Sequence, residues 1–587
     1  MSQDLSMARY QLERALFEHA RLPLRSDRHR EYLRYFVDVG DLQRLRGSDW
    51  LVVYGRRGTG KTLLLGALQE SLHLELEAGT SHDLALYFTG YEFRASPTGV
   101  TVPDRVRGLG YFQVFMDDLA TRLSEAVDTL LGSPSWGQRL LRGRAKLKER
   151  IERILLSISE MSQTGMPIAA FSRFERSQKA IEALNDAEEY DLNLTGSVGV
   201  TPKEFKLGAK AGAGRKRGFE SRHIDEMVQN SPAIPRFVEV RKKIVELLEI
   251  LEISTLHLLI DEWSALDSTA TSSIQPLFAE LLKVTFSGSP RISVKIAGNR
   301  YQTRFSNLMG GTRHYGLEVG ADIFVAVDLD RSVMTEVEQW QFYETMLYRR
   351  LLISEPRLDL FDADHDSVPD SRFLSLIFDS QDTYHELVRS SEGIPRRFLR
   401  VFNAIAERHN YRLVEPWKIS SVREAIIHTM SDDMQIGYHS EASQLLNQVQ
   451  NMSTRRRSRV FYIRKDDYPI ISGAVDELME KRLIHALIRS DIPPKVRLTH
   501  EALRVDYGLW LDWMQAAGND LSSVIADDAR ATDDPRVIPY QTIHTSKIDR
   551  TQLVTCSHCE HQFPRSTRSY EIRGICPNCF LPPLNNG

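Results

Sequence analysis

Gly55-Arg56-Arg57-Gly58-Thr59-Gly60-Lys61-Thr62 decides how this chain is read. The apolar run Leu51-Val52-Val53-Tyr54 enters it, and Leu63, Leu64, Leu65 and Leu68 come after it. A short buried strand, a glycine-rich turn and an apolar-faced helix are what a phosphate-binding loop requires. Gly55, Gly58 and Gly60, with Thr59 between the last two, let successive backbone N–H groups converge on an anion. The helix N-terminus adds partial positive charge. Lys61 is placed to reach the terminal phosphates, and the Thr62 hydroxyl to ligate Mg2+. The bland alternative is a glycine turn that happens to precede a helix; the filled positions and both flanks argue against it. A nucleoside triphosphate site is the expectation.

Length and composition set the frame around this loop. A chain of 587 residues exceeds one ordinary core, and about three or four units are expected. Hydrophobic content of 42% and charged content of 26% lie in the globular range. A net charge of −4 leaves any basic surface to be local. No apolar run reaches the roughly eighteen residues of a membrane helix, and the N-terminus lacks a signal-peptide core. A cytoplasmic protein without a membrane partner is the expectation.

Beyond the loop, Leu84–Phe88 reads as a second core strand, and helical patterns run over Tyr111–Leu131 and from Trp136 to about Met161. Leu256-His257-Leu258-Leu259-Ile260-Asp261-Glu262 is a buried strand ending in two carboxylates. Asp261 suits the hold on magnesium, and Glu262 the base that orients and activates water. An ordinary strand meeting an acidic turn is the alternative. The strand Ile292–Ala297 ends at Gly298-Asn299-Arg300, where Asn299 can bridge a γ-phosphate and water or merely cap a turn. Ile323–Val327 supplies a further strand. Strands alternating with helices predict an α/β fold whose parallel sheet binds ligands at the strands' carboxyl ends. Further on, Gly393-Ile394-Pro395 breaks the chain ahead of a helix that begins with Arg396 and Arg397. Cations at a helix N-terminus disfavour that helix alone, which points to an anionic partner.

Together the loop, Asp261-Glu262-Trp263-Ser264, Asn299 and Gly393-Ile394-Pro395-Arg396-Arg397 resemble AAA+ ATPases of the origin-recognition and initiator-like clade, over roughly Asp49 to Asn410. The resemblance implies ATP as the nucleotide, Asn299 as the first sensor residue, Arg396 or Arg397 as the second, and a homo- or hetero-oligomer. Arg304 and Arg313 are candidates to act across subunits. It also implies a helical lid and commonly a winged helix behind it. The chain then divides into an N-terminal helical segment (1–48), a nucleotide-binding domain (49–330) with an insert at about 165–232, a lid (331–412), a winged-helix-like domain (413–515), a linker (516–550) and a zinc ribbon (551–581).

The last two domains have their own residues. The order of elements expected after the lid is a helix near Glu441–Asn451, a basic strand Arg459–Arg464, a helix Ile470–Lys481 and wing strands Leu483–Ile488 and Lys495–Thr499. Arg455, Arg456, Arg457, Arg459, Arg464 and Lys465 form a positive run suited to nucleic-acid phosphates. Asp476, Glu477 and Glu480 on the would-be reading helix oppose a DNA groove, which leaves protein docking as the other use. Cys556, Cys559, Cys576 and Cys579 are all the cysteines of the chain, two Cys-x-x-Cys pairs sixteen residues apart. That spacing predicts a closed, structural Zn2+ site. The expected function is ATP hydrolysis coupled to assembly or remodelling on DNA. The alternative is a nucleotide-dependent signalling or defence switch whose C-terminal domains bind proteins.

Overall fold

The computed structural model describes residues 2–21, 32–93, 104–132, 144–163, 192–193, 210–211, 233–267, 273–300, 302–309, 313–329, 336–355, 358, 372–434, 440–487, 494–524, 542–543, 553–556 and 562–564. The chain forms two compact units. One comprises Met1–Ser71, Lys295–Thr303 and Phe324–Gly587; the other comprises Leu72–Val294 and Arg304–Ile323.

Five strands build the main sheet: β1 (Leu51–Tyr54), β2 (Asp83–Thr89), β3 (Thr255–Asp261), β4 (Ile292–Gly298) and β5 (Phe324–Asp328). Their order is β2-β3-β4-β1-β5. The registers Leu84↔Leu256, Val52↔Ile296 and Val52↔Val325 are all parallel. β1 is wholly apolar, and β3 and β4 are mostly apolar and buried along nearly their whole length, because strands covered on both faces need no polar side. Lys295, in the middle of β4, shows what burying a charge requires. Its amine donates to the carbonyl of Gly47 at 2.6 Å and to that of Asp49, just ahead of β1. Burial lowers its pKa to about 7, with the Asp49 charge acting the other way.

In the second unit, helices Asp104–Gly132 and Ile274–Phe286 bring Phe115 and Phe278 onto Phe88 and Phe93. Ring centroids 5.1–5.7 Å apart give these pairs the edge-on and offset contacts aromatic rings prefer. Leu192–Asn193 pairs antiparallel with Lys210–Ala211; the rest of the insert at about 165–232 lies outside the described residues.

In the first unit, the helix Lys61–Ala78 leaves β1 and buries Leu64, Leu65 and Leu68. Gly66 on this helix is required by close approach: a Cβ there would stand 2.5 Å from the Tyr32 ring. Phe36–Val39 is a loop after the short helix Tyr32–Tyr35. Helices Glu336–Ser354, Gln381–Ser390, Pro395–Arg408 and Ile419–Met434 share one apolar core with the C-terminal strands and helices. That core runs from Leu12 and Leu16 through Phe398, Phe402 and Trp417 to Val475, Trp510 and Val524.

The C-terminal sheet has the order Ile484–Ala486, His500–Val505, Val460–Arg464, Thr542–Ile543. The first three strands are antiparallel and the last pair is parallel. One expected wing strand is displaced. Pro494–Thr499 is helical, with Leu498 78% exposed, and the strand starts at His500. Proline suits a first helical turn, whereas Ala502, Leu503 and Val505 supply the buried residues that fix the strand. The expected basic run is also divided: Arg459 is 3% exposed and ion-paired with Glu392, while Arg455, Arg456 and Arg457 face solvent. Among the described residues no helix is long and apolar enough to cross a membrane.

Candidate nucleotide site

At the end of β1 the chain turns sharply. The Gly55 N–H donates to the Gly298 carbonyl at 3.2 Å, tying the loop to the end of β4. A Cβ on Gly55 would meet Thr59 Oγ1 at 2.4 Å, so the turn closes only around glycine. Gly58 and Gly60 hold φ of 96° and 106°, a region L side chains rarely enter. Thr59 Oγ1 donates to the Arg56 carbonyl at 2.8 Å. Lys61 is buried, and its amine donates to the carbonyls of Gly55 at 2.6 Å and Arg56 at 3.0 Å. Thr62 is exposed in the first turn of the helix Lys61–Ala78. The loop thus folds its lysine back on its own carbonyls, at the positive end of a helix.

Asn299 comes directly after Gly298, half-buried, and its carbonyl accepts from the N–H groups of Gln302 at 3.0 Å and Thr303 at 2.8 Å. Next to it Arg300 donates to Asp328 at 2.6 Å and lies 4.7 Å from the Tyr54 ring centroid. The carboxyl ends of β1, β4 and β5 are therefore cross-linked around the loop.

The two arginines behind Gly393 go to different places. The helix Pro395–Arg408 starts after two left-handed residues, Glu392 (φ 50°) and Gly393 (φ 74°), with proline at its first position. The Arg396 N–H donates to the Gly58 carbonyl at 3.3 Å, and its Cβ would be 3.0 Å from a Cβ built on Gly58. Arg396 is seated on the loop. Arg397 is buried and grips Asp506 with both terminal nitrogens, one of them at 2.7 Å from Oδ1. The anion expected for this arginine pair is, for Arg397, a carboxylate of the same chain.

Asp506 belongs to a buried network. His485 Nε2 stands 3.0 Å from its Oδ2, and Arg56 contacts His485 Nδ1. Glu392 accepts from Arg459, from Arg504 at 2.7 Å and from the Tyr507 N–H at 3.0 Å. Burial works to raise both carboxyl pKa values, but the guanidiniums outweigh it. Glu392 is held down at about 2 by Arg504 and Arg459, and Asp506 is held well below its ordinary range by Arg397 and His485. His485 is pushed down to about 4 by burial and then by the Arg56 charge. Ligand atoms of Glu392, His485 and Asp506 lie within 4.8 Å of one another, a spacing a metal could use. Four guanidiniums already hold those atoms, so the chemistry is that of an ion-pair network rather than a cation site. Sequence reading missed this network. Its members are scattered over more than four hundred positions, and nothing local marks them.

In the second unit, Asp261 ends β3 buried, accepting from Tyr87 Oη at 2.7 Å and from the Glu262 N–H at 2.8 Å. Glu262 has φ of 51°, a strained position for a residue with a Cβ. Its carbonyl accepts from the Ala265 N–H at 2.8 Å and lies 2.4 Å from where a Gly90 Cβ would be. Trp263 is buried, its Nε1 directed at the Arg304 carbonyl. The side chain of Arg313 lies outside the described residues.

Of the four cysteines, Cys556 is buried at the end of strand Leu553–Thr555, which pairs antiparallel with Gln562–Pro564. Cys559, Cys576 and Cys579 lie outside the described residues.

No protein-family model matches the chain. No curated protein matches it either. Among solved structures it is similar to the ORC2 protein of Aeropyrum pernix, in ADPNP and ADP complexes, at 12% identity and TM-score 0.30, covering 83% of this chain and 91% of that one. A Walker-type ATPase of Pyrococcus abyssi is similar at 10% identity and TM-score 0.30, covering 82% and 96%.

Proposed function

We propose that the chain is an AAA+-type ATPase that binds ATP with Mg2+, hydrolyses it, and uses the cycle for assembly or remodelling on DNA. One observation carries the reading. The Gly55–Thr62 loop holds Lys61 on its own carbonyls, with Arg396 seated on Gly58. Arriving phosphate oxygens would replace those carbonyls as the partners of Lys61, with Thr62 on the metal. Asn299 and Arg396 would sense the terminal phosphate. Arg397, committed to Asp506, would fix the helix that carries Arg396. Asp261, oriented by Tyr87, would support the metal, and Glu262 would activate water. Four cysteines would hold structural Zn2+ in the terminal ribbon. The exposed Arg455, Arg456, Arg457, Arg464 and Lys465 would contact DNA backbone.

The test is ATP turnover by the full chain with and without duplex DNA, over a range of salt. The reading expects stimulation, with DNA binding that weakens steeply as salt rises. A chain that neither binds nor turns over ATP refutes the ATPase, and binding that ignores salt refutes the DNA arm. A second reading, a nucleotide-dependent switch with protein partners, is favoured by Arg459, which is turned inward and lost to any phosphate. It expects turnover indifferent to DNA.

A further inference from the structure

The Arg56 side chain leaves the phosphate loop and ends against His485, on the strand Ile484–Ala486. A guanidinium can only donate, so Nδ1 of His485 accepts and the ring's single proton sits on Nε2. That proton faces Asp506 Oδ2 at 3.0 Å, and Asp506 takes up Arg397. All four side chains are buried. The series starts in the loop and ends one residue from Arg396, which contacts Gly58 of the same loop.

The Arg56 backbone has a separate task. Its carbonyl accepts from Lys61 Nζ at 3.0 Å, Thr59 Oγ1 at 2.8 Å and Thr59 N at 3.3 Å. Lys61 must leave that carbonyl to meet a phosphate, so the placement of Arg56 sets the starting point of the loop's lysine. One residue therefore has its side chain anchored 429 positions downstream and its carbonyl on the phosphate-binding amine.

We propose that Arg56 and His485 are positioning residues of the nucleotide site: through the Nδ1 acceptor of His485, the C-terminal domain sets the conformation of the phosphate loop and with it the affinity for ATP. This rests on the reading that the loop binds ATP. Removing the acceptor leaves a buried guanidinium without that partner, and the loop shifts to hydrate it.

The two ring nitrogens can be tested apart. His485→Asn puts an amide oxygen near Nδ1 and keeps the acceptor for Arg56. His485→Gln puts an amide nitrogen near Nε2 and keeps only the donor to Asp506. ATP affinity of the full chain is measured by calorimetry, beside the unfolding midpoint without nucleotide. His485→Gln and Arg56→Met each weaken ATP binding about tenfold, their combination is no weaker than either alone, and His485→Asn recovers most of the loss. Equal loss in the Asn and Gln variants, or additive loss in the double variant, makes His485 a packed core residue and overturns the inference. If the His485 variants do not fold, Arg56→Met and Arg56→Lys decide it: Met weakens binding and Lys, which still donates, recovers part of it. Wild-type chain that binds ATP while every variant binds equally well overturns this inference alone. Wild-type chain that binds no ATP overturns the proposed function as well.

Discussion

Arg397 and Asp506, 109 positions apart, form a buried two-point ion pair, and the same carboxylate caps the helix Tyr507–Ala516 by accepting from the N–H groups of Gly508 at 2.9 Å and Leu509 at 3.2 Å. Breaking one side strands the other charge in the core. Arg397→Met is expected to cost about 3–5 kcal/mol in chemical denaturation. Arg397→Met with Asp506→Asn should recover part of it, since an amide is cheaper to bury and still caps. A single-variant loss below about 1 kcal/mol would show that the pair is not desolvated as described.

Acid should weaken this protein in two stages. His485 stays neutral down to about 4, against 6.5 ordinarily. Between those values the unfolded chain takes up a proton that the folded chain refuses, so stability falls as pH drops through that window. Glu392 titrates at about 2 instead of 4.5. Its contribution is whole above 4.5 and is lost as pH falls from there toward 2. Unfolding midpoints measured from about pH 7 to 3 should decline continuously. Glu392→Gln should flatten only the acid end; a profile that stays level from about 7 to 4 would contradict the His485 assignment.

Tyr87 is expected to matter through Asp261. Tyr87→Phe removes the 2.7 Å bond to a carboxylate that is almost fully buried, which should cost about 1–3 kcal/mol of stability. If Asp261 supports the metal, the same variant also needs more Mg2+ for half-maximal ATP turnover. An unchanged Mg2+ profile in a destabilised variant would leave Asp261 a structural group. Glu262→Gln should bind ATP and not turn it over, which a filter-binding assay beside a phosphate-release assay will decide.

Gly66→Ala pits two effects against each other. Helix propensity favours alanine by about 1 kcal/mol. The new methyl would meet the Tyr32 ring at 2.5 Å, and overpacking costs about 1–3 kcal/mol. The clash should win, giving a lower unfolding midpoint. Tyr32→Leu in the same chain should relieve it; a stabilised single variant would mean that the ring moves freely.

Much of the main sheet is legible because its strands are mostly apolar and its loop carries glycines at fixed offsets. Leu51–Tyr54, Leu84–Phe88 and Leu256–Asp261 stand where patterning puts them, within a residue or two. The wing strand was misplaced because Lys495–Thr499 has the polar alternation of a strand while Pro494 starts a helical turn. Arg459 was read with its exposed neighbours because charge runs carry no sign of burial; only Glu392, far upstream, turns it inward. Arg396 and Arg397 look equivalent in sequence, and their partners, Gly58 and Asp506, separate them.

The apolar core that joins Leu12 to Val524 has a consequence for how the chain is made. Leu12 and Leu16 leave the ribosome long before Trp510 and Val524, the side chains that complete the same core. Domains ordinarily fold one by one as they emerge. Here the N-terminal helix waits, apolar face uncovered, until the helices Glu336–Ser354 and Pro395–Arg408 that pack on it have been synthesised. Closing so long a loop is slow on entropic grounds. The newborn chain is a natural client for a chaperone that covers the first helix during translation.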